Sequence, residues 1–155
     1  MRGERVKKYG LGILLLVLGL LAIPQAKAQS DYNTTGSLTT TCANTNTSCA
    51  GTAGSSLSIN TSNYGTVTVT MHGTYSTATV NFEFSDDGGT SFYPTACVET
   101  ATPTNIESSK SGLSTGYIAW QCAVVGATSF RVRVSAITSG TILVGLTASK
   151  GSPVV

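Results

Sequence analysis

Charged residues are scarce in this 155-residue sequence, where Asp, Glu, Lys and Arg together make up 10%. There is a single His, at residue 72, and no G-x-S-x-G nucleophile elbow. A Ser/His/acid triad would therefore have one candidate base and no recognisable nucleophile turn. No Lys/Arg cluster lies beyond residue 27, which argues against nucleic acid as a partner. These absences favour a non-enzymatic protein.

The N-terminal segment has the three parts of a secretory signal peptide. Four basic residues lie within residues 2–8, an apolar run covers Leu11–Ile23, and Ala26-Lys27-Ala28 is a small-x-small cleavage site. The apolar run is shorter than the roughly 20 residues of a bilayer span. We therefore predict cleavage after Ala28 and no stable membrane insertion afterwards. The expected location is secreted (periplasmic, extracellular or cell-surface), and a virion is the remaining option.

Removal of this segment would reverse the net charge, which is +2 for the whole chain. Residues 29–155 keep four basic and six acidic side chains, a net charge of −2. The same residues contain 25 Thr and 19 Ser, so their solubility depends on hydroxyl groups. Since Thr favours strands over helix interiors, the composition predicts an all-β domain.

Four cysteines in an exported chain predict two disulfides, with three pairings to choose from. We favour Cys42–Cys49, a local bridge in a segment with few apolar residues, and Cys97–Cys122, which would join two predicted strands. The spacings of 7, 48 and 25 residues do not resemble a zinc site, and only one His could assist. We expect no metal and no cofactor.

Alternation of apolar and polar residues dominates the chain from Ser56 onward, and it predicts strands with one dry face and one wet face. The alternating segments are 57–59, 67–71, 78–84, 118–124, 130–134 and 142–148. Turn signals separate them, including His72-Gly73 and Ser139-Gly140. No segment beyond residue 28 has a helical period. This pattern predicts a two-sheet antiparallel sandwich, immunoglobulin-like or jelly-roll-like, over residues 56–155.

Two segments fall outside this alternation. Residues 29–55 form a predicted Ser/Thr/Asn-rich arm that holds the local disulfide and one edge strand near residues 36–41. Residues 99–115 form the longest predicted loop, and long loops on rigid β scaffolds often carry function. Within the strands, the alternation assigns Glu83, Arg131 and Arg133 to wet faces and Trp120 to the core.

The run SDDGGTSF, from Ser85 to Phe92, fits S-x-D-x-G-x-[ST]-[WF] and resembles the Asp-box, a hairpin turn of sialidase propellers and unrelated β folds. We expect the Asp87 carboxylate to accept N–H groups within the turn. Gly88 and Gly89 would supply positive φ, and Phe92 would return to the core. A Ca²⁺ site at residues 86–87 is the alternative, although two adjacent carboxylates are few for calcium.

A broader resemblance links this turn with the segment from Phe130 to Val144. Together, over residues 56–149, they resemble a β-sandwich module common in tailed-phage virion proteins. The resemblance implies a sandwich fold and a role such as those of tail, baseplate, fibre or decoration proteins. A signal peptide and paired cysteines are unusual for such proteins, and they favour an exported relative of the module.

These observations predict a non-enzymatic exported structural or adhesive protein. Its partners would be copies of itself, other surface or virion proteins, or glycans, with residues 99–115 and the loops beside them as the binding surface. The alternative is a secreted carbohydrate-binding module that uses Tyr64, Tyr93 and Tyr117. A small hydrolase, relying on His72 or Glu83, is the third hypothesis. Threonines on the wet faces leave open a flat adhesive or ice-binding surface: Thr66, Thr68, Thr70, Thr77 and Thr79.

Overall fold

The computed structural model describes residues 31–42 and 54–151 and confirms the predicted all-β fold class. The strands of the described residues are β1 (Tyr32–Leu38), β2 (Ser56–Asn60), β3 (Thr66–Tyr75), β4 (Ala78–Ser85), β5 (Tyr93–Pro94), β6 (Cys97–Glu99), β7 (Ile106–Glu107), β8 (Ser109–Leu113), β9 (Ile118–Ala123), β10 (Ser129–Ile137) and β11 (Gly140–Ser149). The predicted signal peptide lies outside these residues, as do residues 29–30 and 43–53 of the predicted arm, which include Cys49.

The strands form two antiparallel sheets. The first sheet has the order β1-β11-β3-β9-β6-β7, and the second has the order β2-β10-β4-β5, with β8 beside β4. Apolar side chains of both sheets fill the space between them. These residues follow the alternation in the sequence, since Val67, Val69 and Met71 of β3 are all fully buried. In the described part of the chain, no helix is long and apolar enough to cross a membrane.

The N-terminal strand begins earlier than the sequence predicted. β1 covers Tyr32–Leu38 rather than residues 36–41, and it pairs with β11 in unbroken register from Tyr32↔Ala148 to Leu38↔Ile142. The alternation is weak in β1 because its inward positions are Thr34, Gly36 and Leu38, of which only the last is apolar and large. Residues 32–38 therefore belong to the first sheet.

The predicted turn at His72-Gly73 is wrong, because β3 continues to Tyr75 and turns at residues 76–77. Gly73 has a φ of 135°, and a Cβ at this position would overlap the carbonyl oxygen of Thr141 on β11. Glycine is thus required here by a close strand contact, not by a chain reversal. His72 consequently lies on a strand and is exposed.

The predicted loop 99–115 is also more ordered than the sequence indicated. It contains β7 and β8, and β8 pairs with β4 with a register shift between Ala78 and Val80. The Lys110 ammonium lies 3.0 Å from Glu99 Oε2 and 3.3 Å from Glu107 Oε1. These ion pairs connect the short strands β6, β7 and β8. Their sequences do not alternate over enough residues to predict strands.

Candidate functional site

The hairpin turn after β4 is held by its own side chains. Ser85 Oγ donates to Asp87 Oδ1 at 2.7 Å and accepts the N–H of Gly89 at 2.8 Å. Asp87 Oδ1 also accepts the N–H groups of Thr90 at 3.0 Å and Ser91 at 2.9 Å. One carboxylate oxygen therefore organises the turn, as an acceptor for donors that strand pairing leaves free.

These hydrogen bonds favour the ionised form of Asp87. The backbone N–H of Ser91 and the hydroxyl of Ser85 lower the Asp87 pKa from 3.8 to about 2. Gly88 and Gly89 have φ values of 76° and 91°. Residues that carry a Cβ rarely adopt this backbone conformation. The neighbouring Asp86 is exposed. The geometry is that of a self-contained structural turn.

Phe92 is buried, but it is not part of the cluster between the sheets as the sequence predicted. Its ring lies 3.8 Å from the guanidinium carbon of Arg131, on the outward side of the second sheet. Such a contact between a cation and an aromatic face is attractive, and more so when water is excluded. The turn therefore folds Phe92 over a charged side chain.

The assignment of Glu83, Arg131 and Arg133 to a wet face is wrong, since all three are at most 2% exposed. Arg131 Nε lies 2.6 Å from Glu83 Oε2, and Arg133 Nη2 lies 2.6 Å from Glu83 Oε1. Arg133 Nη1 also donates to the carbonyl oxygen of Cys42 at 2.6 Å. Burial lowers the pKa of Arg131, and the Glu83 carboxylate opposes that effect.

This buried triad carries one net positive charge beneath Phe92 and the segment at Cys42. Buried charges are tolerated when they are paired and hydrogen-bonded, and Glu83 is engaged by both arginines. Glu83 is thus not available as a general acid or base in this arrangement. One feature of the sequence could have indicated this buried triad. Glu83, Arg131 and Arg133 all lie on the polar side of their alternating segments, in a chain that has few charged residues.

The disulfide Cys97–Cys122, predicted from the sequence, is confirmed. The two cysteines are direct partners in the β6–β9 register, with Cα atoms 4.2 Å apart. Trp120, on the same face of β9, is fully buried, and its Nε1 donates to Glu107 Oε1 at 2.8 Å. The Trp120 ring is therefore part of the interior and is not a sugar-stacking platform.

The three predicted ligand-binding tyrosines do not form one site. Tyr64 packs against the core and is half-buried. Tyr93, on β5 of the second sheet, is 47% exposed, and its ring lies 6.1 Å from that of Phe84. Tyr117 precedes β9 of the first sheet, is 70% exposed, and lies 6.5 Å from the ring of His72. Tyr117 is the most exposed of the three.

The outward side of the first sheet is free of charged side chains on its central strands. We call this surface the threonine face. Two rows of side chains cross β1, β11, β3 and β9 in that order: Asn33, Thr147, Thr68 and Gln121, and then Thr35, Gly145, Thr70 and Ala119. A third row crosses β1, β11 and β3: Ser37, Leu143 and His72. The third row ends beside Tyr117 and includes Leu143, which is 38% exposed. The face combines hydroxyl groups with one imidazole and two exposed apolar or aromatic side chains.

A polar depression with a volume of about 350 Å³ lies between β2, β10 and the hairpin turn after β4. Ser58, Asn60 and Ser129 line it together with Gly88. Asn60 and Ser129 already bond to neighbouring backbone atoms. Among residues 31–42 and 54–151, no group of three or more His, Cys, Asp or Glu side chains is placed to hold a metal ion.

Two solved structures have a fold similar to that of this chain. The SPBc2 prophage-derived protein YomS aligns with a TM-score of 0.51 at 17% identity, over 79% of this chain and 100% of YomS. The PBSX exported protein XepA aligns with a TM-score of 0.53 at 18% identity, over 80% of this chain and 40% of XepA. No family model and no curated protein sequence matches the chain. The similarity shows that the chain has the fold of these phage-derived β-sandwich proteins.

Proposed function

We propose that this protein is a non-enzymatic, exported structural or adhesive β-sandwich module related to those of phage virions. The observation that carries this proposal is the threonine face, a broad uncharged surface on a disulfide-linked scaffold. The carboxylates of Glu83, Glu99 and Glu107 are engaged in ion pairs within the fold. Chemistry by general acid or base is therefore less well supported than binding.

Attachment through the threonine face is tested by adding charge to it. The exported protein should co-sediment with producing cells or with purified virions, and Thr68→Lys should reduce the attached fraction because a desolvated ammonium is costly at an uncharged contact. Thr138→Lys, in the exposed turn before β11, is the matched control and should leave attachment unchanged. A protein that stays entirely soluble, or a Thr68→Lys variant that attaches normally, would contradict this proposal.

The second candidate is a secreted carbohydrate-binding module, which the exposure of Tyr117 beside His72 favours. Aromatic rings with open faces are the usual platforms on which apolar sugar faces rest, because they bury apolar area at low conformational cost. Binding on a glycan array should be lost in Tyr117→Ala and retained in Tyr93→Ala, whose ring is exposed on the other sheet. Equal binding by both variants and the parent would reject this candidate.

A further inference from the structure

The two open sides of the sandwich differ in how their edge strands are protected. On one side, β5 and β7 have two residues each, β5 contains Pro94, and β8 has a register shift. The charged side chains of Glu107 and Lys110 lie on that side too. Short strands, proline, irregular register and charge are the features with which natural sheets prevent edge-to-edge pairing.

The other side, formed by β1 and β2, has none of these features. β1 has seven residues, YNTTGSL, without a charged residue or proline, and its register against β11 is unbroken. Among the described residues, β1 pairs only with β11. Alternate residues of an antiparallel edge strand direct their N–H and C=O groups away from the sheet. β1 therefore presents a regular row of donors and acceptors at an edge suited to pairing.

We propose that β1 pairs antiparallel with β1 of a second copy of this chain, about a two-fold axis near Thr35. In that register Asn33 lies opposite Ser37 of the second copy, and Thr35 lies opposite its own counterpart. No like charges meet, because β1 has no charged side chain. Tyr32, which is 48% exposed, would lie beside Leu38 of the second copy. The two six-stranded sheets would become one, with a threonine face of twice the width.

The pairing deepens the proposed function, since it identifies a copy of the chain as one partner. It also rests on its own observations, the edge asymmetry and the regular register. A monomeric protein that still attached to cells or virions would overturn the pairing and leave the proposed function intact. A dimer that attached to neither cells nor virions would support the pairing and contradict the proposed function.

A charge-exchange experiment tests both the partner and the register. Sedimentation velocity of the exported parent protein over a range of concentrations should show a reversible dimer. Asn33→Lys with Ser37→Lys places like charges opposite each other twice and should weaken dimerisation by about tenfold or more. Asn33→Lys with Ser37→Glu places opposite charges at the same contacts and should dimerise at least as well as the parent.

A third double variant, Thr68→Lys with Thr141→Lys, adds the same charge to β3 and β11, away from the edge, and should dimerise like the parent. Burial of Trp120, followed by its fluorescence, reports that each variant is folded. A parent that is monomeric at every concentration overturns the proposal. So does equal weakening by the two variants at residues 33 and 37, or no weakening by the double-lysine variant at that edge.

Discussion

Glu83 and Arg131 face each other in direct register across β4 and β10, with Arg131 Nε 2.6 Å from Glu83 Oε2 and both side chains at most 2% exposed. Arg133, two residues further along β10, binds the other carboxylate oxygen. Through Arg133 Nη1 and the Cys42 carbonyl group, this pair also connects the second sheet with the segment that follows β1. Glu83, Arg131 and Arg133 together therefore connect β4, β10 and the segment at Cys42.

Glu83→Gln should strongly destabilise the fold, because it removes the carboxylate charge that both buried guanidinium groups contact. Breaking a buried pair by removing one partner typically costs about 3 to 5 kcal/mol. Asp86→Asn is the matched control, and a change of at most about 0.5 kcal/mol is expected for that exposed side chain. Denaturant unfolding of both variants measures the difference. Similar unfolding midpoints for the two variants would show that the triad contributes little.

Asp87→Asn should lower the melting temperature near neutral pH, because it removes the charge that strengthens the N–H bonds from Thr90 and Ser91. The folded-state pKa of Asp87, about 2, lies below its ordinary value of 3.8. The stabilisation is therefore present above the higher value and is lost as the pH falls toward the lower one. Thermal melts at several pH values should show the parent and Asp87→Asn converging over that range. Asp86→Asn should give no such convergence, and added Ca²⁺ should shift none of the three proteins.

Replacing Cys97 and Cys122 together by Ala should destabilise the domain, since the bridge closes a segment with a sequence separation of 25 residues. The chain-entropy model gives about 3.5 kcal/mol for a loop of that size. Unfolding of the parent and the double variant, each with and without reductant, measures this contribution. If the double variant unfolded at the same denaturant concentration as the oxidised parent, the bridge would have no role in stability.

Tyr75→Phe should stabilise the protein. Tyr75 is buried, its hydroxyl has no hydrogen-bond partner among the described residues, and burial raises its pKa. Removing an unsatisfied buried polar group is expected to contribute about 1 kcal/mol. Tyr117→Phe, at an exposed ring, is the control and should be neutral in the same denaturation experiment. Destabilisation by Tyr75→Phe would indicate that the hydroxyl is satisfied in solution.

Export should leave a chain that begins at Gln29, as the small-x-small site predicts. Edman sequencing of the exported protein tests the cleavage position. Peptide mapping under non-reducing conditions should recover Cys42 and Cys49 in one linked peptide, separate from the Cys97–Cys122 peptide. An intact Met1, or a free thiol at residue 49, would contradict the predicted processing or pairing.

Much of the fold could be predicted because alternation is a local property. The segments around Val67–Met71 and Ile142–Ala148 repeat apolar residues with the period of a strand, and in the structure their apolar positions line the interior. The pairing of Cys97 with Cys122 was also predicted, although only Cys122 lies within an alternating segment. Residues 106–107 were missed because two residues cannot show a period, and residues 109–113 were missed because Leu113 is their only large apolar residue.

The sequence by itself determined that the chain is all-β, that its strands have two unlike faces, and that its charges are few. Only the tertiary structure decided which polar face is covered. A period of two separates Glu83, Arg131 and Arg133 from the apolar residues, but it cannot show that Phe92 and the segment at Cys42 exclude water from them. A period of two also cannot show that Tyr64, Tyr93 and Tyr117 lie apart, because their separation depends on strand order. Burial arises from contacts between distant segments, and local pattern carries no information about those contacts.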